Sequence, residues 1–420
     1  MCFMRETGPQ RTRREGYAGA TGDSITDPEA RLRAGAGLTR PGEAAYSFSA
    51  MRYALIIAGG SGTRLWPMST KSLPKQLIPF IDGKSLLEIA MDRLEGLVPE
   101  ERRFICAGQD HREAIQSALG GFPDEQFLGE PTGRDTLNAV GFAAAIIQRR
   151  AREAGDDDPA IAVFTADHLI RPEERFRRIV EQGCEIAETS EHALVTFGIE
   201  PTRPATGYGY LALGEPIAGR EAFLVDEFKE KPDPETARRY FEAGPEAYLW
   251  NSGMFVWRAS ALLGAMEKFV PENHEQIQTI ADAWGTDRYE ATLNDIYPKL
   301  KKISVDYAVM EPASQDPVLT VAAMPMPVQW LDVGSWPSFA ETLEPDAAGN
   351  VASGCRSVLM ESQNLLVASS EPEHLVAALG LEDVIVIHTP DATLVCDRDH
   401  AEKIKELHRQ VGERFGQELL

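Results

Sequence analysis

The body of the chain reads as an α/β fold with a mainly parallel sheet, followed by a small β-rich domain. Three observations predict it. Short apolar runs at 53–58, 103–107, 160–164, 193–199, 223–228 and 253–257 have strand length. Between them, Lys84–Val98, Thr136–Glu153 and Pro172–Thr189 carry apolar residues at helical spacing, and this alternation implies helices on both faces of a sheet. After about residue 345 the texture changes to closely spaced β-rich pieces.

Residues 1–50 are rich in Arg, Gly, Ala and Thr and lack either periodicity, so they are expected to be a disordered extension. Folding should begin at Met51, where the run Tyr53-Ala-Leu-Ile-Ile-Ala58 opens. The expected division is therefore 1–50, an α/β domain over 51–345, and a β-domain with a terminal helix over 346–420. In the last part, Ser357–Met360, Asn364–Ser369, His374–Leu379, Asp383–His388 and Thr393–Cys396 read as strands. Ala401–Phe415 reads as a helix with Ile404, Leu407 and Val411 on one face. That β-region carries no phosphate or metal motif, so its expected work is assembly, with its helix packed on the β-domain or on a second subunit.

Composition narrows the function. At 420 residues with net charge -23, the chain would repel nucleic-acid phosphates, and it has no compensating basic stripe. Its five cysteines are scattered without C-x-x-C pairs, which suits a reduced, cytoplasmic protein. No apolar run is long enough to span a bilayer, and the N-terminus has no apolar signal core, so no membrane association is expected.

Open α/β sheets bind ligands beyond the carboxyl ends of their strands, which directs attention to Gly59 and Ala166. The first strand runs into Ala58-Gly-Gly-Ser-Gly-Thr-Arg-Leu-Trp-Pro67. Its glycines free backbone N–H groups to approach an anion, so Gly59, Gly60, Ser61, Gly62 and Thr63 read as a phosphate cradle. It is not a Walker A loop, a dinucleotide fingerprint or a nucleophile elbow, because the required Lys-Ser/Thr or third glycine is missing. Arg64 and Lys75, eleven residues apart, add the fixed cations that nucleotidyl transfer needs around its phosphorane-like transition state.

With these residues in view, Gly59-Gly-Ser-Gly-Thr-Arg-Leu-Trp-Pro67 and Pro74-Lys-Gln76 resemble the activation loop of nucleotide-sugar pyrophosphorylases. The Leu-Trp-Pro and Lys-Gln endings resemble its mannose-1-phosphate guanylyltransferase branch. Similar motifs follow in order: Thr165-Ala-Asp-His168, Gly207-Tyr-Gly-Tyr210, Phe228-Lys-Glu-Lys-Pro232, Trp250-Asn-Ser-Gly-Met-Phe255, Ile303-Ser-Val-Asp-Tyr-Ala-Val-Met-Glu311 and Trp330-Leu-Asp-Val-Gly-Ser-Trp336. The likeness covers about residues 51–415.

The resemblance implies a Rossmann-like nucleotidyltransferase domain and a short left-handed β-helix. It also implies GTP and mannose 1-phosphate as substrates, Mg2+ as cofactor, and a homodimer or other homo-oligomer. Arg64, Lys75 and Asp167 would be catalytic. Asp167, after the strand Ile161–Phe164, and Asp332, expected in a turn, would hold the metal, since magnesium accepts one or two protein carboxylates. His168 is expected to be structural, because magnesium favours oxygen ligands. Gly129-Glu-Pro-Thr-Gly-Arg-Asp-Thr136 resembles the base-binding stretch, with Glu130, Pro131, Arg134, Asp135 and Thr136 at the nucleotide. Asp135 stands where the family has Asn, and could either accept from guanine or cap the following helix. Tyr208, Gly209, Glu230, Lys231 and Asn251 would bind the sugar phosphate, although Glu230 and Lys231 could also be a plain charge pair. Two rivals remain: transfer to another nucleotide or sugar, and a catalytically silent nucleotide-sugar sensor.

Overall fold

The computed structural model describes residues 51–60, 62–79, 81 and 83–420. The expectations for residues 1–50 and for Ser61 lie outside the described residues.

The first eleven strands are β1 (Arg52–Ile57), β2 (Arg103–Gly108), β3 (Phe127–Glu130), β4 (Ala160–Thr165), β5 (His168–Arg171), β6 (Ala193–Ile199), β7 (Tyr210–Pro216), β8 (Phe223–Lys229), β9 (Tyr248–Arg258), β10 (Thr320–Pro325) and β11 (Gln329–Asp332). A nine-stranded sheet takes the order β3-β2-β1-β4-β9-β6-β10-β8-β7. β1, β2, β3 and β4 are mutually parallel, as are β6 and β10, while β8 and β9 run against their neighbours. The sheet is thus mainly parallel, as the alternating pattern requires.

Both faces are covered. In β1, Tyr53 and Leu55 enter one apolar layer with the helices Thr136–Glu153, Ala259–Phe269 and Pro271–Ala283. Ala54 and Ile56 enter the opposite layer with Leu86–Asp92 and Glu173–Thr189. That two-sided burial is why the strand sequences are continuous apolar runs rather than alternating ones.

The helix expected over Lys84–Val98 is shorter than its apolar spacing suggests. It is confined to Leu86–Asp92, opened by a capping box between Ser85 and Glu88, and followed by turns through Gly96 at φ 77°. A larger correction concerns Asp332. It is the last residue of β11, paired antiparallel with β5 so that Asp332 faces His168 across the ladder. The glycine at 334 suggests a turn, but the turn begins only after Asp332.

The C-terminal part contains β12 (Val351–Ser353), β13 (Arg356–Met360), β14 (Leu366–Ser369), β15 (Leu375–Leu379), β16 (Val384–His388) and β17 (Thr393–Asp397). β12, β14 and β16 stack in parallel, as do β13 and β15, so the chain rises coil by coil as a β-helix. β17 closes it antiparallel to β16, and the helix Ile404–Phe415 follows. A third apolar cluster joins Leu65, Trp66 and Trp336 to Leu366, Ile385, Ile387 and Ile404, fastening this β-helix beneath the loop after β1. Among the described residues, no helix is long and apolar enough to cross a membrane.

Candidate active site

The loop after β1 owes its path to its glycines. Gly62 sits at φ 56°, and a Cβ there would press on the Ser69 side chain and lie 3.0 Å from Lys75 Cβ. The amide of Gln76, buried beneath the loop, donates to the carbonyl of Ala58 and so fixes its neighbour Lys75 under the turn. Lys75 Nζ then donates to Asp167 Oδ2 at 2.5 Å.

Two cavities open on this turn. One of about 700 Å³ is lined by Gly59, Gly60, Thr63, Lys71, Glu130, Asp135, Thr136, Lys302 and His408, a volume suited to a nucleoside. A second of about 290 Å³ is lined by Gly60, Gly62, Thr63, Arg64, Lys75, Asp167, Asp332, Gly334 and Lys405. Gly60 and Thr63 belong to both.

In the smaller cavity, the Lys75 ammonium is paired with a carboxylate, that of Asp167, and Asp332 lies beside them. Burial is the largest single influence and pushes the Asp167 carboxyl up, but the charges of Lys75 and His168, with the Lys75 hydrogen bond, together hold the group down to about 2. Among the described residues Asp332 has no such direct partner, so burial and then the charge of Asp167 push its carboxyl up. Ligand atoms of Asp167, His168 and Asp332 lie within 4.8 Å of one another. Trp330 donates its indole N–H to His168 Nδ1 at 3.2 Å, which occupies that nitrogen. The other nitrogen, Nε2, lies 3.9 Å from Asp167 Oδ1, but it is the two carboxylates that supply the hard oxygen donors a divalent cation such as magnesium favours.

At the larger cavity, Glu130 is buried and accepts a hydrogen bond from the Tyr297 hydroxyl at 2.7 Å. Burial raises its carboxyl, against the Tyr297 bond and the Arg134 backbone N–H. Asp135 lines the cavity and also caps the helix Thr136–Glu153, accepting from the Thr136 N–H at 2.9 Å, so the two alternatives coexist geometrically. The Thr136 hydroxyl accepts from the Val305 N–H at 3.0 Å. Pro131 and Arg134 stand outside the lining of both cavities, and Arg134 meets the site through its backbone.

A third cluster gathers Gly209, Glu230 and Asn251. A Cβ on Gly209 would come within 2.6 Å of Glu230 Oε2, and its carbonyl accepts from the Asn251 N–H at 2.8 Å. Asn251 is held from both ends: Thr196 donates to its Oδ1 at 2.8 Å, and its amide donates to Asp306 Oδ1 at 2.8 Å. Lys231 pairs with Glu230, which is 4 % exposed. Tyr208 packs between Trp250 and Trp330, at 5.1 and 5.3 Å between ring centres, so this cluster and the carboxylate pair share a wall. Trp257 is fully buried in the core, as its apolar strand suggests.

Besides Lys71 and Lys302 on the larger cavity, Asp306, Lys405 and His408 have no assigned role in the sequence. Asp306 lies inside the Ile303–Glu311 motif, and only its part-buried bond to Asn251 reveals it. Lys405 and His408 come from the terminal helix, and no local signal marks them.

A protein-family model described as nucleotidyl transferase matches residues 53–348. The chain belongs to the nucleotidyl transferase family. A second model of the MannoseP isomerase/GMP-like beta-helix domain matches residues 355–411 of this nucleotidyl transferase. Mannose-1-phosphate guanylyltransferase of Escherichia coli is 36% identical over 365 residues, spanning 86% of this chain and 73% of that protein. The xanthan biosynthesis protein XanB of Xanthomonas campestris is 37% identical over 363 residues, spanning 85% and 72%. Among solved structures, one described as mannose-1-phosphate geranyltransferase from Thermus thermophilus superposes with TM-score 0.73 at 32% identity, covering 86% of this chain and 99% of its own. Another, described as mannose-6-phosphate isomerase from Helicobacter pylori, reaches TM-score 0.52 at 22% identity over 67% of this chain and 100% of its own, and bears on the fold alone. Members of this family generally use a divalent metal.

Proposed function

We propose that this nucleotidyl transferase is a mannose-1-phosphate guanylyltransferase, converting GTP and mannose 1-phosphate to GDP-mannose and pyrophosphate. The observation that carries the reading is the glycine turn shared by two cavities, one of nucleoside size and one bearing Arg64, Lys75, Asp167 and Asp332. Identity of 36% to an enzyme named for this activity supports the same substrates.

In this reading the guanosine occupies the larger cavity beside Glu130 and Asp135, and the phosphates cross the turn. Mannose 1-phosphate sits at Gly209, Glu230, Lys231 and Asn251. A phosphate oxygen of the sugar forms a bond to the α-phosphorus, and the bond from that phosphorus to the bridging oxygen breaks. The attacking oxygen is already anionic, so no general base is needed, and positioning with charge stabilisation supplies the catalysis. Lys75 neutralises charge on the transferring phosphoryl group, and Arg64 neutralises it on the departing pyrophosphate. Asp167 and Asp332 would hold Mg2+, which supplies further positive charge to the triphosphate and its leaving group.

The outward apolar residues Val358, Met360, Leu375 and Leu379 on the β-helix support a homo-oligomer. The proposed compartment is the cytoplasm, in keeping with free thiols at Cys106, Cys184, Cys355 and Cys396.

Pyrophosphate release, measured for four nucleoside triphosphates against mannose, glucose and fucose 1-phosphates, tests the assignment. GTP with mannose 1-phosphate should exceed every other pair at least about tenfold, a margin of roughly 1.4 kcal/mol. Equal turnover of UTP with glucose 1-phosphate would overturn the substrate choice. Binding without turnover in every pair would favour the silent sensor.

A further inference from the structure

The β-helix does more than extend the molecule. Its terminal segment rests on the glycine loop: the Trp66 indole donates to the Leu419 carbonyl at 2.8 Å, and the Lys71 N–H donates to the Leu420 carbonyl at 3.1 Å. Lys71 Nζ donates to Gln417 Oε1 at 2.6 Å, and the Trp336 indole donates to the Trp66 carbonyl at 3.1 Å. Ile404, 2 % exposed, anchors the terminal helix in the apolar cluster that holds Leu65 and Trp66. The next residue, Lys405, lines the smaller cavity. Nearby, Arg64 Nε lies 2.9 Å from Glu402 Oε2, an ion pair in which both side chains are largely open to solvent.

The charges of that cavity decide what it can accept. Without Lys405, Arg64 and Lys75 merely balance Asp167 and Asp332, and Arg64 is already engaged by Glu402. Lys405 carries no ion pair among the described residues and gives the lining its excess of positive charge. An exposed ion pair such as Arg64–Glu402 is weak and exchanges readily for a better anion. A triphosphate presents more charge and more acceptor oxygens to a guanidinium than one solvated carboxylate does, through the same class of charge-assisted bond.

We propose that Lys405 is a phosphate-binding residue supplied by the β-helix domain, acting with Arg64 on the β- and γ-phosphates of the nucleoside triphosphate. Glu402 holds Arg64 until those phosphates displace it. The terminal domain thereby completes the site that binds and releases pyrophosphate. This rests on the reading of the chain as an enzyme that takes a nucleoside triphosphate, and it names residues that reading lacks.

The test is calorimetric titration of the full chain with GTP and, separately, with magnesium pyrophosphate, beside steady-state kinetics. Lys405→Ala should weaken both ligands at least about tenfold while the KM for mannose 1-phosphate stays unchanged, since charge-assisted bonds are the stronger class. Lys405→Arg should restore most of the affinity, which a packing role for the lysine stem would not predict. Glu402→Gln should tighten both ligands by about two- to fivefold, with the gain shrinking at high salt. Wild-type affinity in Lys405→Ala, or weaker binding in Glu402→Gln, would overturn the proposal. A wild-type chain that binds pyrophosphate but turns over no sugar phosphate would sink the substrate assignment alone, leaving these affinities readable.

Discussion

The two ends proposed for the cleft, one for phosphates and one for the sugar, are built differently. At the phosphate end, Lys75, Asp167 and Asp332 are charged groups held against one another, and Arg64 is engaged by Glu402. At the sugar end, Asn251 is bonded at both ends of its amide before any ligand arrives, by Thr196 on one side and Asp306 on the other. In the proposed assignment, the first end must exchange internal ion pairs for substrate and metal, while at the second the Asn251 amide is already fixed although Lys231 is still paired with Glu230. Groups at the first should therefore govern turnover, since their charge acts on the transition state, and groups at the second should govern sugar affinity.

The largest effect tests the phosphate end. Asp167→Asn and Asp332→Asn should each lower turnover at least about a hundredfold, the scale of electrostatic groups aimed at developing charge. Their stabilities should separate. Asp167 is held down to about 2, below its ordinary 3.8, so it contributes stability above about pH 4 that is lost as pH falls through 2. At pH 7 its replacement should cost on the order of 2 kcal/mol, because Lys75 loses its partner. Asp332 is pushed up, so its ionised form opposes folding at pH 7, and Asp332→Asn should match or exceed the wild-type Tm in the absence of divalent ions. The reverse order of Tm would mean that Lys75 serves Asp332 instead.

At the sugar end, Asn251→Ala should raise the KM for mannose 1-phosphate about tenfold, the expected cost of one buried polar group left unpaired. Its KM for GTP should be nearly unchanged. A variant that lost turnover but kept its sugar KM would erase the distinction between the two ends.

This contrast is only partly legible in the chain. The loop after β1, Lys75 and Asp167 can be read because each follows a buried apolar strand or a glycine turn, and strand ends are where open sheets bind. The strands at 53–58, 103–107, 160–164, 193–199, 223–228 and 253–257 all stand in the sheet for the same reason. Not every strand of the α/β domain is visible. β3 is four residues ending in Glu130, and β5 and β11 pair only with each other across an intervening stretch of the α/β domain. That hidden pairing is what places Asp332 opposite His168 instead of in a turn. The seating of the terminal segment is invisible for a related reason: the Trp66–Leu419 bond spans 353 residues, and no local pattern encodes it.

A smaller effect concerns the coupling within the sugar end. Burial, then the charge of Glu230, push the Asp306 carboxyl up to about 7. A folded-state value above the unfolded one means that its stabilising contribution is full below about pH 4 and is lost as pH rises through 7. Asp306→Asn should remove that slope and gain on the order of 3–4 kcal/mol relative to wild type on moving from pH 4 to pH 8. Thermal unfolding of both proteins across that range measures it, and parallel profiles would show that Asp306 does not carry the buried proton.

The smallest expected effect is at the amino-terminal end of β1, and it asks whether both ends of the cleft are complete without residues 1–50. β1 pairs with β2 and β4 through residues 52–57, so its ladder uses only partners inside the described fold. Met51 adds two anchors: its N–H donates to Asp156 Oδ2 at 2.6 Å, and its carbonyl accepts from the Ala160 N–H at 3.2 Å. Arg52 is held by Glu188, with Nε 2.5 Å from Oε1. A chain beginning at Met51 keeps all of these, and its new terminal ammonium would turn the Asp156 bond into a charge-assisted one. Partly exposed, that pair should contribute about 0.2–1 kcal/mol. Turnover and both KM values should equal those of the full chain, and the Tm should be equal or slightly higher at low salt. A many-fold loss of turnover would mean that residues 1–50 take part in one end of the cleft, and the KM that rose with it would identify which.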